Sequence, residues 1–292
     1  MDSASGQCSL INFIEKSRTA TDNVIINRGQ VFHTRRIESH STAAIVIRTF
    51  PQHACIQENT WRRQMSKYTA VLFDLDGTLI DYDGAQKHAA EHIIEKLELD
   101  NSPDTMNRIQ EFLNGKVIQD IEACKPSSIE ADSGEMRQAF RKAGLKGNPV
   151  EFIELYFEGL EEHGVPFPGI ADLLKRLRNE YTIGIVSNGP GPVQRKRLQK
   201  SGLMEYLDII VLSCEVKSAK PDPEILRYAM KLAQSKTFDT LFVGDSAGSD
   251  MGAANAAGID FVFVRPDGNF SAPGPRILEI RKTAELSGLL NL

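Results

Sequence analysis

Residues 71–81 read VLFDLDGTLID. The run YTAVLFDL (68–75) is apolar at successive positions, so a strand there needs cover on both faces. That is the condition of a central strand in a parallel sheet. The run opens at once onto Asp74 and Asp76, one residue apart, and then onto Gly77 and Thr78. Carboxylates that close repel each other unless positive charge lies between or beside them. At the end of a buried strand, this spacing asks for a cation.

The rest of the chain has to complete that sheet. After a mostly helical block over about 82–163, strand and helix patterns alternate. Helices at 170–180, about 191–201, 222–234 and about 248–257 precede strands at 182–188, 208–213, 240–245 and 260–265. Asp222 is the expected cap of the 222–234 helix, with Pro223 at its first position. This alternation predicts an α/β fold, a Rossmann-like doubly wound parallel sheet with helices on both faces. In such sheets function gathers at the carboxyl ends of the strands. The helical block follows the first core strand, so it is expected to hang over that end as an inserted helical cap. Within it, HAAEHIIEKLEL (88–99) sets Ala89, Ile93, Ile94 and Leu97 on one face. Pro149 starts a helix that stops at Gly164. The expected domains are a catalytic core over 65–81 and 165–292, a cap over 82–164, and an N-terminal extension over 1–64.

The extension differs in composition. It is rich in Thr, Ser, Gln, Asn and His, with basic residues Arg35, Arg36, Arg62 and Arg63. QVFHTRRI (30–37) and AAIVIRTF (43–50) read as strands, but no catalytic spacing appears. MSKYTAVLFDLDGT from Met65 looks like a natural start, so 1–64 reads as a flexible segment, an interaction arm or an upstream start. Asp2, Glu15 and Asp22 interrupt any mitochondrial presequence. The net charge of −5 argues against nonspecific nucleic-acid binding. No apolar run reaches the length of a membrane span, and no signal peptide is read, so a cytoplasmic protein with no membrane partner is expected. Cys8, Cys55, Cys124 and Cys214 form no CxxC pair and read as free thiols in a reducing compartment.

Each predicted strand ends in polar groups. The first ends in Asp74, Asp76 and Thr78, and the second in Ser187, Asn188 and Gly189. Lys220 lies beyond the third in KSAKPDPEIL, and Asp245 ends the fourth with Asp250 five residues later. Gly77, Gly189 and Gly244 are expected to leave room for a ligand near the backbone. The convergence suggests phosphoryl transfer. Asp74 and Asp245 are suited to hold Mg2+, leaving an Asp74 oxygen to attack phosphorus. Asp76 is placed to give a proton to the leaving oxygen and to take one from water. Ser187 and Lys220 would neutralise phosphoryl oxygens.

DLDGTL, SNG, KPDP and GDSAGSD, in this order over roughly 68–290, resemble the four signature motifs of the haloacid dehalogenase superfamily. The resemblance implies an aspartyl-phosphate on Asp74, acid/base work by Asp76 and phosphate binding by Ser187 and Lys220. It implies Mg2+ held by Asp74, Asp245 and the backbone carbonyl of Asp76, with Asp250 in support. SNGPGPVQRKRLQKSGLMEYLD is similar to a subgroup that includes pyrimidine-type 5′-nucleotidases and N-acylneuraminate-9-phosphatase, with Ser187 in place of Thr and Lys217 where Gly is commoner. The expected function is a Mg2+-dependent phosphomonoesterase acting on a small phosphorylated metabolite, a nucleoside monophosphate or a sugar phosphate. A phosphomutase shares every core residue, and a scaffold protein using 1–64 is the non-enzymatic alternative. Asp76 disfavours a dehalogenase. Asn188 and Gly189 join Ser187 and Lys220 as candidate substrate contacts, although Asn188 serves equally to shape the turn. Lys125, Arg137 and Arg141 are candidate cap cations, read first as solvated helix charges. His88, His92 and His163 read as surface or packing residues.

Overall fold

The computed structural model describes residues 22–27, 30–39, 42–49, 68–122, 124, 134–268, 276–290 and 292. The chain divides into two compact units, Met1–Gln64 and Met65–Leu292. In the first, β1 (Asp22–Asn27), β2 (Gln30–Ser39) and β3 (Thr42–Thr49) form an antiparallel sheet in that order. Two of these strands cover the runs read as strands in the sequence. The first was not anticipated.

The second unit is built on a six-stranded parallel sheet. Its strands are β4 (Ala70–Phe73), β5 (Thr182–Ser187), β6 (Ile209–Leu212), β7 (Thr240–Gly244), β8 (Asp260–Val264) and β9 (Ile277–Ile280). Their order is β6-β5-β4-β7-β8-β9, and every neighbouring pair is parallel. This is the Rossmann-like doubly wound sheet that the alternation predicts. β4 lies between β5 and β7 with all four residues buried, which is why its sequence is apolar throughout. The edge strand β9, ILEI, was not foreseen from the sequence, and three of its four residues are only half-buried.

One face of the sheet is sealed by α9 (Glu224–Leu232) and α10 (Gly252–Ala257). Leu72, Val186, Phe242 and Phe261 pack there against Ile225, Ala229 and Ala253. Two predicted boundaries move. Helix α9 starts at Glu224 rather than at Pro223, and the Asp222 carboxylate accepts the Glu224 N–H at 3.0 Å from outside the helix. The helix predicted over 248–257 opens with a wide π-type turn at Ala247–Met251 before α10 begins. Such widened turns change which side chains face inward, and here Asp250 is fully buried.

Five helices stand between β4 and β5: α1 (Tyr82–Lys96), α2 (Pro103–Leu113), α3 (Lys116–Glu122), α4 (Gly134–Lys142) and α5 (Pro149–Glu162). Their ends follow from local chemistry. The Asp81 carboxylate accepts the Gly84 N–H at 3.0 Å, so α1 begins at Tyr82, earlier than the 88–99 pattern suggested. Ser102 and Asn148 cap α2 and α5 in the same way, each ahead of a proline in the first turn. Ala89, Ile93 and Ile94 are buried as their spacing predicts. Phe112, Phe140 and Phe152 meet edge to face, with ring centroids 5.0 to 6.3 Å apart, giving the insert an apolar core of its own.

Helix α6 (Ile170–Leu177) leads into β5, and after β5 and β6 come α7 (Gly191–Ser201) and the short α8 (Ser213–Val216). Cys124, just beyond α3, pairs with Cys214 in α8 as a disulfide, with Cα atoms 5.2 Å apart. This corrects the free-thiol reading for these two residues. They are 90 residues apart, so only the packing of the insert against the sheet unit brings them together. Cys8 and Cys55 lie outside the described residues. Among the described residues, no helix is long and apolar enough to cross a membrane.

Candidate active site

The carboxyl ends of β4, β5 and β7 meet at one rim. Asp74 follows β4, and its backbone N–H donates to Val243 in β7 at 2.8 Å, which fixes its height beside the neighbouring strand. The Lys220 ammonium is buried between two acids: it contacts the Asp74 carboxylate and lies 2.7 Å from Asp250 Oδ1. Asp245 Oδ1 accepts from the Thr78 hydroxyl at 3.1 Å, and Asp250 Oδ2 accepts the Ser246 N–H at 2.9 Å. Asp74, Asp245 and Asp250 can each present an oxygen within 4.8 Å of the others.

Three carboxylates around one lysine leave excess negative charge. Burial, then the charge of Asp250, raises Asp74 well above the usual carboxylate range, and Lys220 only partly opposes them. Burial and Asp250 likewise push Asp245 up to about 6. Burial alone would lower Lys220, but Asp250 and Asp74 outweigh it and hold the ammonium charged. A hard cation suits such an all-oxygen cluster, so these residues fit the Mg2+ that the sequence implies.

Asp76 stands apart from this group. Its Oδ2 accepts from Gln194 Nε2 at 2.7 Å, and its Oδ1 lies 2.6 Å from the Arg197 guanidinium. Both partners come from α7, and Arg197 also donates to the carbonyl of His163 at the end of the insert. Gln194 further donates to Ser187 Oγ at 3.0 Å and to the Asn188 carbonyl at 3.1 Å. Two carboxylates one residue apart are thus drawn to different cations, which is how the chain tolerates them. Neither Gln194 nor Arg197 was given a role from the sequence. The available signal was two polar residues, three apart on α7, among the buried residues Val193 and Leu198.

Other candidates fall into place individually. Ser187 is buried at the end of β5, with its hydroxyl donating to the Asn188 carbonyl. The Asn188 side chain donates to the Lys220 carbonyl at 3.0 Å and accepts the Lys220 N–H at 2.9 Å, so it anchors the lysine loop. The Gly189 N–H donates to Ser213 Oγ at 3.0 Å. Gly77 and Gly244 make room for carboxylates, whereas Gly189 lies against the Gln194 side chain and lines the cavity described next. At Gly77, with φ +76°, a Cβ would lie 2.3 Å from Asp245 Oδ2, and at Gly244 one would lie 2.6 Å from the Asp250 carboxyl. Arg137 and Arg141 are exposed and do not line the cavity described next. Lys125 lies outside the described residues. His88 and His92 face Glu162 and Glu158 on the insert, at 3.2 to 3.8 Å.

A cavity of about 1300 Å³ opens over this rim. Its floor includes Asp74, Asp76, Ser187 and Lys220, and its opposite wall comes from the insert through Tyr82, Glu122, Phe157 and Leu160. The Glu122 Oε1 atom accepts from the Tyr82 hydroxyl at 2.8 Å and from the Tyr156 hydroxyl at 3.1 Å. No local pattern singles out this trio, because its members lie on three different helices.

Known proteins resemble this arrangement. The model of the haloacid dehalogenase-like hydrolase family matches residues 71–264. The pyrimidine 5′-nucleotidase YjjG of Escherichia coli (strain K12) is 30% identical over 195 residues, covering 65% of this chain and 83% of its own. A plasmid-encoded phosphoglycolate phosphatase of Cupriavidus necator is 31% identical, covering 70% of this chain and 84% of its own. The magnesium-bound crystal structure of the HAD-hydrolase YfnB of Bacillus subtilis, described as revealing interdomain movement, superposes with a TM-score of 0.67. That similarity comes at 27% identity and covers 77% of this chain and all of that one.

Proposed function

This chain belongs to the haloacid dehalogenase-like hydrolases and is a phosphatase, and we propose that it is a Mg2+-dependent phosphomonoesterase for a small phosphorylated metabolite, a nucleoside monophosphate or a sugar phosphate. In this reading residues 65–81 and 165–292 are the catalytic core, 82–164 is a cap, and 1–64 is an appendage that the chemistry does not use. The observation that carries it is the group of buried Asp74, Asp250 and Lys220 with half-buried Asp245 at the floor of a cavity roofed by the insert.

Asp74, Asp245 and Asp250, with the Asp76 backbone carbonyl, would hold Mg2+, which when bound supplies the positive charge that keeps Asp74 ionised and offsets phosphoryl oxygens. One Asp74 oxygen attacks phosphorus, forming an O–P bond as the bond to the leaving oxygen breaks. Asp76, entering the step protonated and aimed by Gln194 and Arg197, gives that proton to the leaving oxygen. It then takes a proton from water, whose oxygen attacks the aspartyl-phosphate and releases inorganic phosphate from Asp74. Ser187 and Lys220 would donate to the phosphoryl oxygens as charge spreads over them. Asn188 acts by holding the Lys220 backbone. The cap excludes water during transfer and opens to release product.

The test is release of inorganic phosphate from p-nitrophenyl phosphate with Mg2+ and after chelation. Release that requires added Mg2+ is expected. No release under either condition would overturn the reading. Conversion of a sugar monophosphate to its isomer without free phosphate would make the protein a mutase instead.

A further inference from the structure

The wall opposite the phosphoryl site has its own polar centre, unused by the chemistry above. Tyr82 and Tyr156 direct both phenol hydroxyls at Glu122 Oε1, and the two hydroxyls lie 3.2 Å apart. Among the described residues no hydrogen bond engages Oε2. The carboxyl is therefore oriented and has acceptor capacity left over, in a wall that also carries Ile153, Phe157 and Leu160.

Among the described residues of the insert that line the cavity, the charged ones are Asp120, which pairs with Lys116 one turn earlier, and Glu122. The cations on the lining come from the sheet unit. Lys220 is engaged with Asp74 and Asp250, Arg197 with Asp76, and Lys217 is exposed. A leaving group with a second anion would bring it against the Glu122 carboxyl, and like charges so placed repel. A leaving group with hydroxyl or N–H donors would instead meet a waiting acceptor.

We propose that Glu122, steered by Tyr82 and Tyr156, selects the leaving group: it accepts a hydrogen bond from an uncharged, hydroxyl- or N–H-bearing leaving group such as a nucleoside or neutral sugar, and rejects one carrying a carboxylate. The inference rests on reading the cavity as the phosphate-ester site. It separates the two kinds of ester that the relatives' names suggest, since phosphoglycolate carries a carboxylate and a nucleotide's nucleoside does not. Burial lifts Glu122 to about 7, so at pH 8 most of it is ionised.

The experiment compares near-isosteric pairs on the full-length protein with Mg2+ at pH 8. The pairs are 2-hydroxyethyl phosphate against 2-phosphoglycolate, and glucose 6-phosphate against 6-phosphogluconate, with p-nitrophenyl phosphate alongside. The neutral member of each pair should have the higher kcat/KM by about 30-fold or more. Glu122→Gln should shrink that ratio at least tenfold, mainly by raising KM for the neutral ester and lowering it for the carboxylated one. Tyr156→Phe, which removes one steering hydroxyl, should move the ratio the same way by less and serves if the first variant does not fold. No turnover of p-nitrophenyl phosphate by the wild type overturns the phosphatase mechanism itself. Turnover of p-nitrophenyl phosphate with a preference for the carboxylated esters, or a ratio unmoved in both variants, overturns only the selector. If Lys217→Ala abolishes such a carboxylate preference, the core-side lysine is the selector in place of Glu122.

Discussion

The sheet unit and the helical insert place polar groups over the same cavity by different means. In the sheet unit, the ends of parallel strands carry Asp74, Ser187 and Asp245, and the hydrogen-bonded ladders of β4, β5 and β7 hold those ends in line. Backbone register leaves such groups little freedom. In the insert, Tyr82, Glu122 and Tyr156 meet only because α1, α3 and α5 pack around a shared apolar core. Helix packing angles and rotations vary more easily than strand register. A rigid floor suits invariant chemistry on phosphorus, and an adjustable wall suits the choice of what the phosphorus is attached to.

Substitutions can break that division. The largest effect is expected for Asp74→Asn, which should lower kcat by at least about 10⁴-fold for every ester. The protein should stay folded by circular dichroism. Its metal-free Tm should hold or rise, because the change removes a carboxyl that burial holds well above its usual pKa. Wild-type-like turnover in this variant would remove the nucleophile from the floor. Next is Lys220→Met, which leaves Asp74 and Asp250 facing each other without their shared cation. A loss of about 10³-fold in kcat is expected, with about 3–5 kcal/mol of stability lost in a neutral-pH urea melt.

Effects in the insert should be thermal before they are chemical. Phe140→Ala opens a hole beside Phe112 and Phe152 and should cost about 3–5 kcal/mol. Hydrogen exchange should then rise first across 82–162. An equal rise throughout the parallel sheet would mean that the insert and sheet unfold as one.

Glu122→Gln gives a smaller, pH-dependent change. The folded carboxyl keeps its proton up to about 7, against 4.5 when unfolded, so its contribution to stability is full below about 4.5 and is lost as pH rises through 7. The variant should therefore match the wild type near pH 4 and exceed it at pH 8 by about 2 kcal/mol. Tm measured across that range checks the sign. The smallest effect is expected from deleting residues 1–64, which form a separate compact unit. The kcat/KM for p-nitrophenyl phosphate should change by less than about twofold, the size of ordinary effects between independent units. A folded but inactive remainder would assign the N-terminal unit a part in the site.

The motif residues of the floor were legible because each lies within a few positions of a strand end, where local pattern and chemistry coincide. Asp74 after an apolar run, Ser187 and Asp245 after two others, and Lys220 ahead of Pro221 can be read in one pass along the chain. The edge strand β9 was missed because a half-buried ILEI carries too little apolar pattern to stand out. Gln194 and Arg197 were passed over because a helix with buried polar groups reads like an exposed one until its partners are known. Here the partner is Asp76, more than a hundred residues earlier.

The sequence by itself determined the layered α/β architecture, the order of the strand-end groups and their demand for a cation, because burial pattern and charge repulsion act over a few residues. Only the tertiary structure decided that Asp76 answers to Arg197 while Asp74 answers to Lys220, that Cys124 meets Cys214, and that Glu122 faces the cavity between two tyrosines. Those choices depend on how helices far apart in the chain pack against one another and against the sheet. Packing is a property of the whole molecule, and no short stretch of the chain encodes it.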